Sequence, residues 1–370
     1  MIYKIFKDIK LSRLGMGNMR LPVKNIEGNP IDYKKAEEII DYAMNSGINY
    51  YDTAYVYHNG TSESFLGYAL SKYPRDSYYI ADKFYILADS DYKKVFENQL
   101  EKLKTDHIDF YLIHCLTDST INDLINSGCI KYFAEQKKLG KIKYFGFSTH
   151  ASLEVTKKFL EQYDWDFVQI QLNYYDWIFG HAKEEYELLY SKNIPIMVME
   201  SVRGGRLSSL TNECNSRLLD KKPNKSISSW AFMWLQSLPG VQIALSGMTT
   251  IEQIIDNVST FEQDNSLTKE EEKFLFDVIQ EFKKQVVVAC TECKYCVEGC
   301  PKKINIPEVL KIYNSVKVDG KGNAKKLNEL KCAKPWECIS CNRCLNHCPQ
   351  NIDTPKYMKE LSIIYNEITK

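Results

Sequence analysis

Short apolar segments alternate with amphipathic ones from about residue 10 to residue 262 of this 370-residue chain. The apolar segments are rich in β-branched and aromatic residues without strict alternation, as expected of strands covered on both faces. The predicted strands are 11–15, 48–54, 78–84, 108–114, 142–149, 166–173, 194–201 and 241–248. Between strands, residues 32–47, 91–105 and 181–193 repeat apolar positions at helical spacing. The pattern therefore predicts strands and helices in regular alternation.

Eight strands alternating with helices over about 250 residues favour an α/β fold, a closed (β/α)8 TIM barrel, across residues 1–262. The main alternative is an open, doubly wound sheet, which normally carries a GxGxxG turn after its first strand. Gly15 and Gly17 are present here, but Arg20 stands where the third glycine belongs. The missing glycine favours the barrel.

The chain beyond residue 262 has a different pattern. Residues 268–285 predict one helix, with Thr268 as its N-cap and acidic residues in its first turn. We interpret 263–289 as a connecting helix and 290–370 as a small, helix-rich domain that ends in a helix starting at Thr354.

Composition narrows the class of protein. Lys and Arg together equal Asp and Glu, so the net charge is zero, and nothing indicates a nucleic-acid-binding protein. The N-terminus lacks the apolar core of a signal peptide, and no apolar run is long enough to span a bilayer. The sequence therefore predicts a cytoplasmic protein that does not bind membranes.

The cysteines are unevenly distributed, because nine of the twelve lie between Cys290 and Cys348. Without an export signal, such crowding indicates metal binding rather than disulfides. The crowded cysteines form two runs of the pattern C-x₂-C-x₂-C-x₃-C-P. The runs are Cys290, Cys293, Cys296 and Cys300, and then Cys338, Cys341, Cys344 and Cys348.

Each run has the spacing of bacterial ferredoxins and resembles their [4Fe–4S] motifs. In two-cluster ferredoxins the last cysteine of each motif ligates the other cluster. The resemblance thus implies one cluster on Cys290, Cys293, Cys296 and Cys348. It implies a second on Cys338, Cys341, Cys344 and Cys300. Structural zinc, the main alternative, usually takes paired CxxC or HxxxH elements rather than four cysteines in one run. Cys332 fits no ligand position, and we predict that it is a buried thiol, like Cys115, Cys129 and Cys214.

Four chemically active side chains fall at or just beyond the carboxyl ends of successive predicted strands, where such barrels place their active sites. They are Asp52, Tyr57, Lys83 and His114. The set resembles the Asp-Tyr-Lys-His tetrad of the aldo-keto reductases. The segment DTAYVYHNGTSESFLGYAL resembles that family's D-T-A-x-x-Y-G-x-S-E-x-x-L-G signature, with two extra residues after Tyr57. Together with the ferredoxin-like tail, this resemblance indicates the iron–sulfur branch of the family.

The resemblance implies a mechanism for reducing a small carbonyl or oxidising the alcohol. Tyr57 would give a proton to the carbonyl oxygen as hydride reaches the carbon, and its ordinary pKa near 10 is too high for this task. Lys83 would lower that pKa, and Asp52 would hold Lys83 charged. His114 would hydrogen-bond the carbonyl oxygen.

The resemblance also implies a cofactor site for NAD(P)H. Gly17, Asn18 and Met19 match the first cofactor loop, and Ser148 and Gln169 match positions that hold the nicotinamide amide. Further positions match along the later strands: Glu200, Gly247, Gln253, Asp256 and Asn257. Glu200 replaces the family's stacking aromatic, while Gly247 and Gln253 replace the cations that bind the 2′-phosphate of NADP. The sequence therefore does not decide between NADPH, NADH and FMN as the cofactor.

The sequence supports two functional hypotheses. The first is an oxidoreductase of the aldo-keto reductase type, whose two clusters exchange electrons with the barrel. The alternative is an electron-transfer or redox-sensing iron–sulfur protein whose barrel binds flavin or has lost carbonyl reductase activity. A ferredoxin or a reductase is a candidate partner, with Tyr295 and Trp336 as candidate contact residues.

Overall fold

The computed structural model describes residues 1–26, 28–284 and 286–369. The chain divides into two compact units. The first unit comprises Met1–Val202 and Asn224–Glu272, and the second comprises Arg203–Pro223 and Lys273–Lys370, with Lys370 itself outside the described residues. The segment that follows the seventh barrel strand thus packs with the second unit.

Eight parallel strands close the barrel of the first unit in the order β10-β3-β4-β5-β6-β7-β8-β9. This confirms the predicted (β/α)8 architecture. The ten strands are β1 Tyr3–Phe6, β2 Ile9–Ser12, β3 Leu14–Gly17, β4 Tyr50–Asp52, β5 Tyr79–Phe84, β6 Ile108–Leu116, β7 Ile142–Thr149, β8 Phe167–Gln171, β9 Ile196–Met199 and β10 Val241–Ser246.

The predicted helices are confirmed within a few residues. The helices up to residue 283 are α1 Tyr33–Asn45, α2 Ser62–Leu70, α3 Tyr92–Leu103, α4 Ile121–Asn126, α5 Cys129–Lys138, α6 Leu153–Leu160, α7 Tyr174–Phe179, α8 Ala182–Ser191, α9 Asn212–Lys221, α10 Ile227–Gln236, α11 Ile251–Thr260 and α12 Lys269–Lys283, of which α9 belongs to the second unit. At α12 the Thr268 hydroxyl accepts from the Glu271 amide, as predicted for an N-cap. Gln285, the last residue predicted for this helix, lies outside the described residues.

The prediction of a single first strand at residues 11–15 was wrong. The chain instead makes an antiparallel hairpin of β1 and β2, breaks near Arg13, and enters the barrel as β3. Phe6 and Leu11 of the hairpin join a buried cluster that includes Phe110, Tyr144 and Phe167. The apolar residues of β2 are followed almost directly by those of β3. The hydrophobic pattern alone therefore does not separate the hairpin from the barrel strand.

The second unit is mostly helical. Its later helices are α13 Tyr295–Glu298, α14 Ile306–Asp319, α15 Arg343–Asn346 and α16 Thr354–Thr369. Its core combines apolar side chains of α14 and α16 with Cys290, Cys296 and Cys344. Among the described residues, no helix has both the length and the apolar character needed to cross a bilayer.

Candidate active site and cluster sites

Lys83 and Asp52 form a buried ion pair at the carboxyl ends of neighbouring strands. β4 and β5 run parallel, with Asp52 in register with Ala81, so Lys83 reaches sideways to the end of β4. Its Nζ lies 2.6 Å from Asp52 Oδ1 and donates to the Thr53 carbonyl at 2.6 Å. Lys83 is 1% exposed and Asp52 is 3% exposed. The ammonium group is thus fixed by charge and by hydrogen bonding.

The burial of this pair perturbs both groups. Burial acts to lower the pKa of Lys83, but the charges of Asp52 and Tyr57 outweigh it, and the pKa of Lys83 is raised. Burial raises the pKa of Asp52, while Lys83 and the Gln169 amide act in the opposite direction. We take Lys83 to be cationic at neutral pH because its charge has a carboxylate partner in direct contact.

Tyr57 lies beside this pair on the turn that follows β4. Lys83 Nζ is 5.0 Å from the centre of the Tyr57 ring. The two extra residues seen in the sequence belong to a tight turn in which His58, Asn59 and Gly60 all have positive φ, at 51°, 54° and 77°. His58 Nε2 accepts a hydrogen bond from the Leu21 amide at 3.2 Å, which ties this turn to the segment after β3.

His114 completes the group at an irregularity in β6. The β6–β7 register shifts between Ile113 and Leu116, and Cys115 has a φ of 57°. Such bulges redirect side chains next to functional sites. The His114 ring packs edge-on against Tyr57 at 5.9 Å and 82°. Burial, then the charge of Lys83, lowers the pKa of His114 well below its ordinary value, so the imidazole is neutral at pH 7.

The eight clustered cysteines of the second unit line two cavities. One cavity has Cys290, Cys293, Cys296 and Cys348 in its wall. The other has Cys300, Cys338, Cys341 and Cys344. The cavities thus group the cysteines as the ferredoxin resemblance implies. Among the described residues, no three Cys, His, Asp or Glu side chains converge on a position for one metal ion.

The backbone around the two cavities repeats itself. Equivalent positions of the two motifs have positive φ: Glu292 and Ser340, Lys294 and Asn342, Lys303 and Asn351. Alternation of right- and left-handed residues makes concave nests of amide groups that bind anions, iron–sulfur clusters included. Two amides already point to ligand sulfurs, from Glu292 to Cys290 Sγ at 3.4 Å and from Ile352 to Cys348 Sγ at 3.5 Å. The donor set and its backbone therefore fit two anionic clusters.

Comparison with known proteins agrees with both halves of the chain. Residues 13–274 match the model of the aldo/keto reductase family, and residues 289–352 match that of the 4Fe-4S dicluster domain. The chain belongs to the aldo/keto reductase family. An uncharacterized oxidoreductase of Bacillus subtilis, YqkF, is 26% identical over 307 residues, which cover 72% of this chain and 92% of that protein.

Solved structures give the same assignment for this aldo/keto reductase. The holo form of an aldo-keto reductase from Bacillus halodurans is 27% identical, with a TM-score of 0.63 over 75% of this chain and 96% of that one. An aldo-keto reductase from Klebsiella pneumoniae in complex with NADPH shares the fold at 18% identity, with a TM-score of 0.62 over 76% and 96%. The chain is therefore an oxidoreductase of the aldo-keto reductase type with an iron–sulfur domain.

Polar atoms suited to a nicotinamide amide surround the Lys83–Asp52 pair of this aldo/keto reductase. Asn18 Nδ2 donates to the Asp52 carbonyl at 2.9 Å, and Gln169 Nε2 donates to Asp52 Oδ2 at 3.4 Å. Within the described part of the chain, the buried Asn18 Oδ1 and Gln169 Oε1 have no hydrogen-bond partner. Ser148 Oγ, in register beside Gln169, accepts from the Cys115 amide. These unpaired acceptors fit a ligand that brings an N–H group.

The other predicted cofactor positions of this aldo/keto reductase have varied surroundings. Gly17 ends β3, and Met19 lies in the short 3₁₀ turn Asn18–Arg20. Glu200 has a φ of 58°, and its carbonyl accepts from Asn173. Asp256 accepts from Ser226 and Ser228 at the start of α10, and Asn257 donates to Ser246. Asp256 and Asn257 thus connect α11 to its neighbours.

Arg20 is a cation at the eighth loop that the sequence comparison did not identify. A methyl group placed on Gly247 would lie 3.1–3.3 Å from Cβ, Cγ and Cδ of Arg20. Thr249, in the same loop, donates to the Arg20 carbonyl at 2.7 Å, and Gln253 accepts from the Thr249 amide. Arg20 belongs to the first loop, so only the closure of β3 against β10 brings it to this place.

A buried polar network behind Lys83 was also absent from the sequence prediction. Gln99 donates to Glu63 Oε1 at 3.0 Å and to the Lys83 carbonyl at 3.1 Å, and Lys102 pairs with Glu63 at 2.8 Å. Burial and the charge of Glu63 raise the pKa of Asp82 well above its ordinary value. The glutamate of the SE pair in the family signature thus helps to position the Lys83 backbone.

Proposed function

We propose that the barrel reduces a small carbonyl compound with a nicotinamide cofactor, or oxidises the corresponding alcohol. The observation that carries the proposal is the buried Lys83–Asp52 pair beside the Tyr57 ring. A fully buried ammonium group is costly unless its charge is used or compensated, and active sites are where such arrangements concentrate. The proximity of Tyr57 gives this charge a chemical role.

In this mechanism the nicotinamide supplies the hydride when it is bound. Tyr57 donates its phenolic proton to the carbonyl oxygen as negative charge develops there. The Lys83 ammonium stabilises the phenolate that remains, and Asp52 keeps that ammonium charged and oriented. The lowered pKa of His114 leaves its imidazole uncharged. An N–H of this neutral ring donates a hydrogen bond to the same oxygen.

The described residues also suggest how the cofactor is held. Gln169 Oε1 and Asn18 Oδ1 would accept from the nicotinamide amide, and Ser148 would lie beside it. Arg20 would take over the role of the absent cations at Gly247 and Gln253 by contacting a 2′-phosphate. Arg20 is the feature that favours NADPH over NADH, because NADH has no 2′-phosphate to contact. No feature of the site specifically favours FMN.

We propose further that the two cysteine-lined cavities each hold a [4Fe–4S] cluster, with the fourth ligand supplied by the other motif. The cavity walls and the repeated amide nests support this ligand assignment. Such clusters carry one electron each. They would pass electrons one at a time to or from a redox partner protein, whereas the nicotinamide moves two electrons together as hydride.

The direct test is Tyr57→Phe in the reconstituted protein, assayed anaerobically for NADPH-dependent reduction of small aldehydes and ketones. We expect turnover to fall at least about 100-fold, because the proton donor is lost. Tyr85→Phe is the matched control, since the Tyr85 ring also packs on His114, at 5.3 Å. Full activity in Tyr57→Phe would refute the mechanism. If the purified protein carries a bound flavin that absorbs near 450 nm, flavin would replace nicotinamide as the proposed cofactor.

A further inference from the structure

The two cysteine-lined cavities differ in how they meet solvent. In the first, Cys290 and Cys296 are 9% and 8% exposed, and Cys293 and Cys348 are partly buried. In the second, Cys341 is exposed, and it is the only exposed one of the eight clustered cysteines, all of which the structure describes. Electron transfer to a protein partner needs a cluster edge at the surface, so the second cavity is the better entry point.

The surface around Cys341 is apolar at its centre. Ile339, two residues before Cys341, is 57% exposed and lines the same cavity. Trp336, also exposed, packs at a tilt of 31° against Tyr365, 4.8 Å away, and lines neither cysteine cavity. Ile339 is therefore the exposed apolar side chain beside these cysteines, while a partner contact by Trp336 stays a prediction. Small interfaces commonly combine such an apolar centre with a charged rim.

Cations surround this apolar centre. Lys302 and Arg343 line the cavity of Cys341, and Lys303 is the next residue after Lys302. All three are exposed. None of them forms an ion pair with a carboxylate within residues 1–26, 28–284 and 286–369. Two exposed acids adjoin this cavity along the chain: Glu337 accepts from the Lys334 amide at 2.7 Å, and Asp353 accepts from the Lys356 amide at 3.3 Å. The rim therefore presents positive charge that the described part of the chain does not neutralise.

We propose that Lys302, Lys303, Arg343 and Ile339 form the docking surface for a small acidic electron-carrier protein. This inference rests on the proposed ligation of a cluster by Cys300, Cys338, Cys341 and Cys344. One electron leaves the reduced carrier, which is oxidised by one electron, and enters that cluster. No bond forms or breaks, and no proton is required. Complementary charge steers such encounters and makes their rate depend on salt.

The test uses the full, reconstituted chain and an acidic plant-type [2Fe–2S] ferredoxin, whose low potential suits an electron donor. Stopped-flow absorbance follows cluster reduction without nicotinamide or carbonyl substrate. The wild-type rate constant should fall as salt rises from about 20 mM to about 200 mM, because ions screen the rim. The variant Lys302→Glu/Lys303→Glu/Arg343→Glu should react at least about tenfold more slowly at low salt.

The matched control is Lys325→Glu/Lys326→Glu/Lys359→Glu, which changes the net charge equally at exposed residues that line neither cavity. It should keep a rate constant within about twofold of wild type. Dithionite should bleach the clusters of all three proteins.

Three outcomes of the rate measurements would overturn the proposal. The control and rim variants could be slowed equally, the rim variant could react as fast as wild type, or the wild-type rate could be independent of salt. A wild-type protein that dithionite bleaches but the ferredoxin cannot reduce would also overturn it. Loss of dithionite bleaching in wild type would instead refute the cluster ligation itself.

Discussion

At the scale of single residues, Lys83 and Asp52 are mutually dependent because both charges are buried in contact. Removing one partner of a buried pair leaves the other uncompensated, whereas removing both is far less costly. The same two charged groups therefore stabilise the ends of β4 and β5 and, in the proposed mechanism, act on the proton of Tyr57.

We expect Lys83→Met to lose about 3–5 kcal/mol of unfolding free energy, and Lys83→Met/Asp52→Asn to regain most of that loss. Burial raises the pKa of Asp52, and without Lys83 the folded state would hold a proton that the unfolded state releases. The deficit of the single variant should consequently be larger at pH 8 than at pH 5. Urea unfolding followed by tryptophan fluorescence measures it. A double variant as unstable as Lys83→Met would contradict the pairing.

Arg20 gives a prediction about cofactor choice. We expect Arg20→Ala to raise KM for NADPH by about tenfold or more, because one charge-assisted contact to the 2′-phosphate is lost. KM for NADH should change less than about twofold, since NADH has no 2′-phosphate. Steady-state kinetics with both cofactors test this. Equal effects on both would place Arg20 outside the phosphate site.

At the scale of elements, the N-terminal hairpin contributes to the barrel core through Phe6. Its ring lies 5.3 Å from Phe110 and 5.0 Å from Tyr144, centre to centre. We expect Phe6→Ala to cost about 3–5 kcal/mol of unfolding free energy. Ile5→Ala is the control on the same strand, because Ile5 is 65% exposed, and it should cost less than about 0.5 kcal/mol. Equal losses in urea unfolding would show that the hairpin does not close the core.

The sequence predicted the elements better than the contacts between them. Seven of the eight barrel strands and helices such as α1 and α3 follow from the local hydrophobic period, which a sequence displays directly. The hairpin was missed because the apolar residues of β2 run on into those of β3. Arg20 was missed because its contact with Gly247 joins the first and last barrel strands. A linear pattern carries no signal for that closure.

The candidate site was predictable in part. Asp52, Tyr57, Lys83 and His114 could be placed together because parallel strands in a barrel end on one face. Their electrostatics could not, because the lowered pKa of His114 depends on burial and on Lys83. The cysteine spacing likewise indicated two clusters, while the difference in exposure between Cys341 and Cys296 required the folded chain.

At the scale of the whole molecule, the proposed ligation has each motif lend its last cysteine to the cluster of the other motif. Cys348→Ser should then damage the cluster of Cys290, Cys293 and Cys296 and lower the iron content from about eight towards about four per chain. Cys290→Ser/Cys348→Ser should hold as much iron as the single variant, whereas Cys341→Ser/Cys348→Ser should lose both clusters.

Cys332→Ser is the control, because Cys332 lines neither cavity. Iron analysis and EPR measure the outcome, and a Cys341→Ser/Cys348→Ser protein that keeps one intact cluster would contradict the exchange of ligands.

In the proposed mechanism, Lys83 lowers the pKa of Tyr57, the proton donor of the barrel. The most direct measurement is the pH dependence of single-turnover NADPH oxidation at 340 nm, with a saturating aldehyde, in the wild-type and Lys83→Met proteins. We expect the wild-type rate to fall as pH rises through an apparent pKa below 10. The rate of the variant should be at least about 100-fold lower, with that pKa moved upwards. A Lys83→Met protein with the wild-type rate and the wild-type pH profile would contradict the claim.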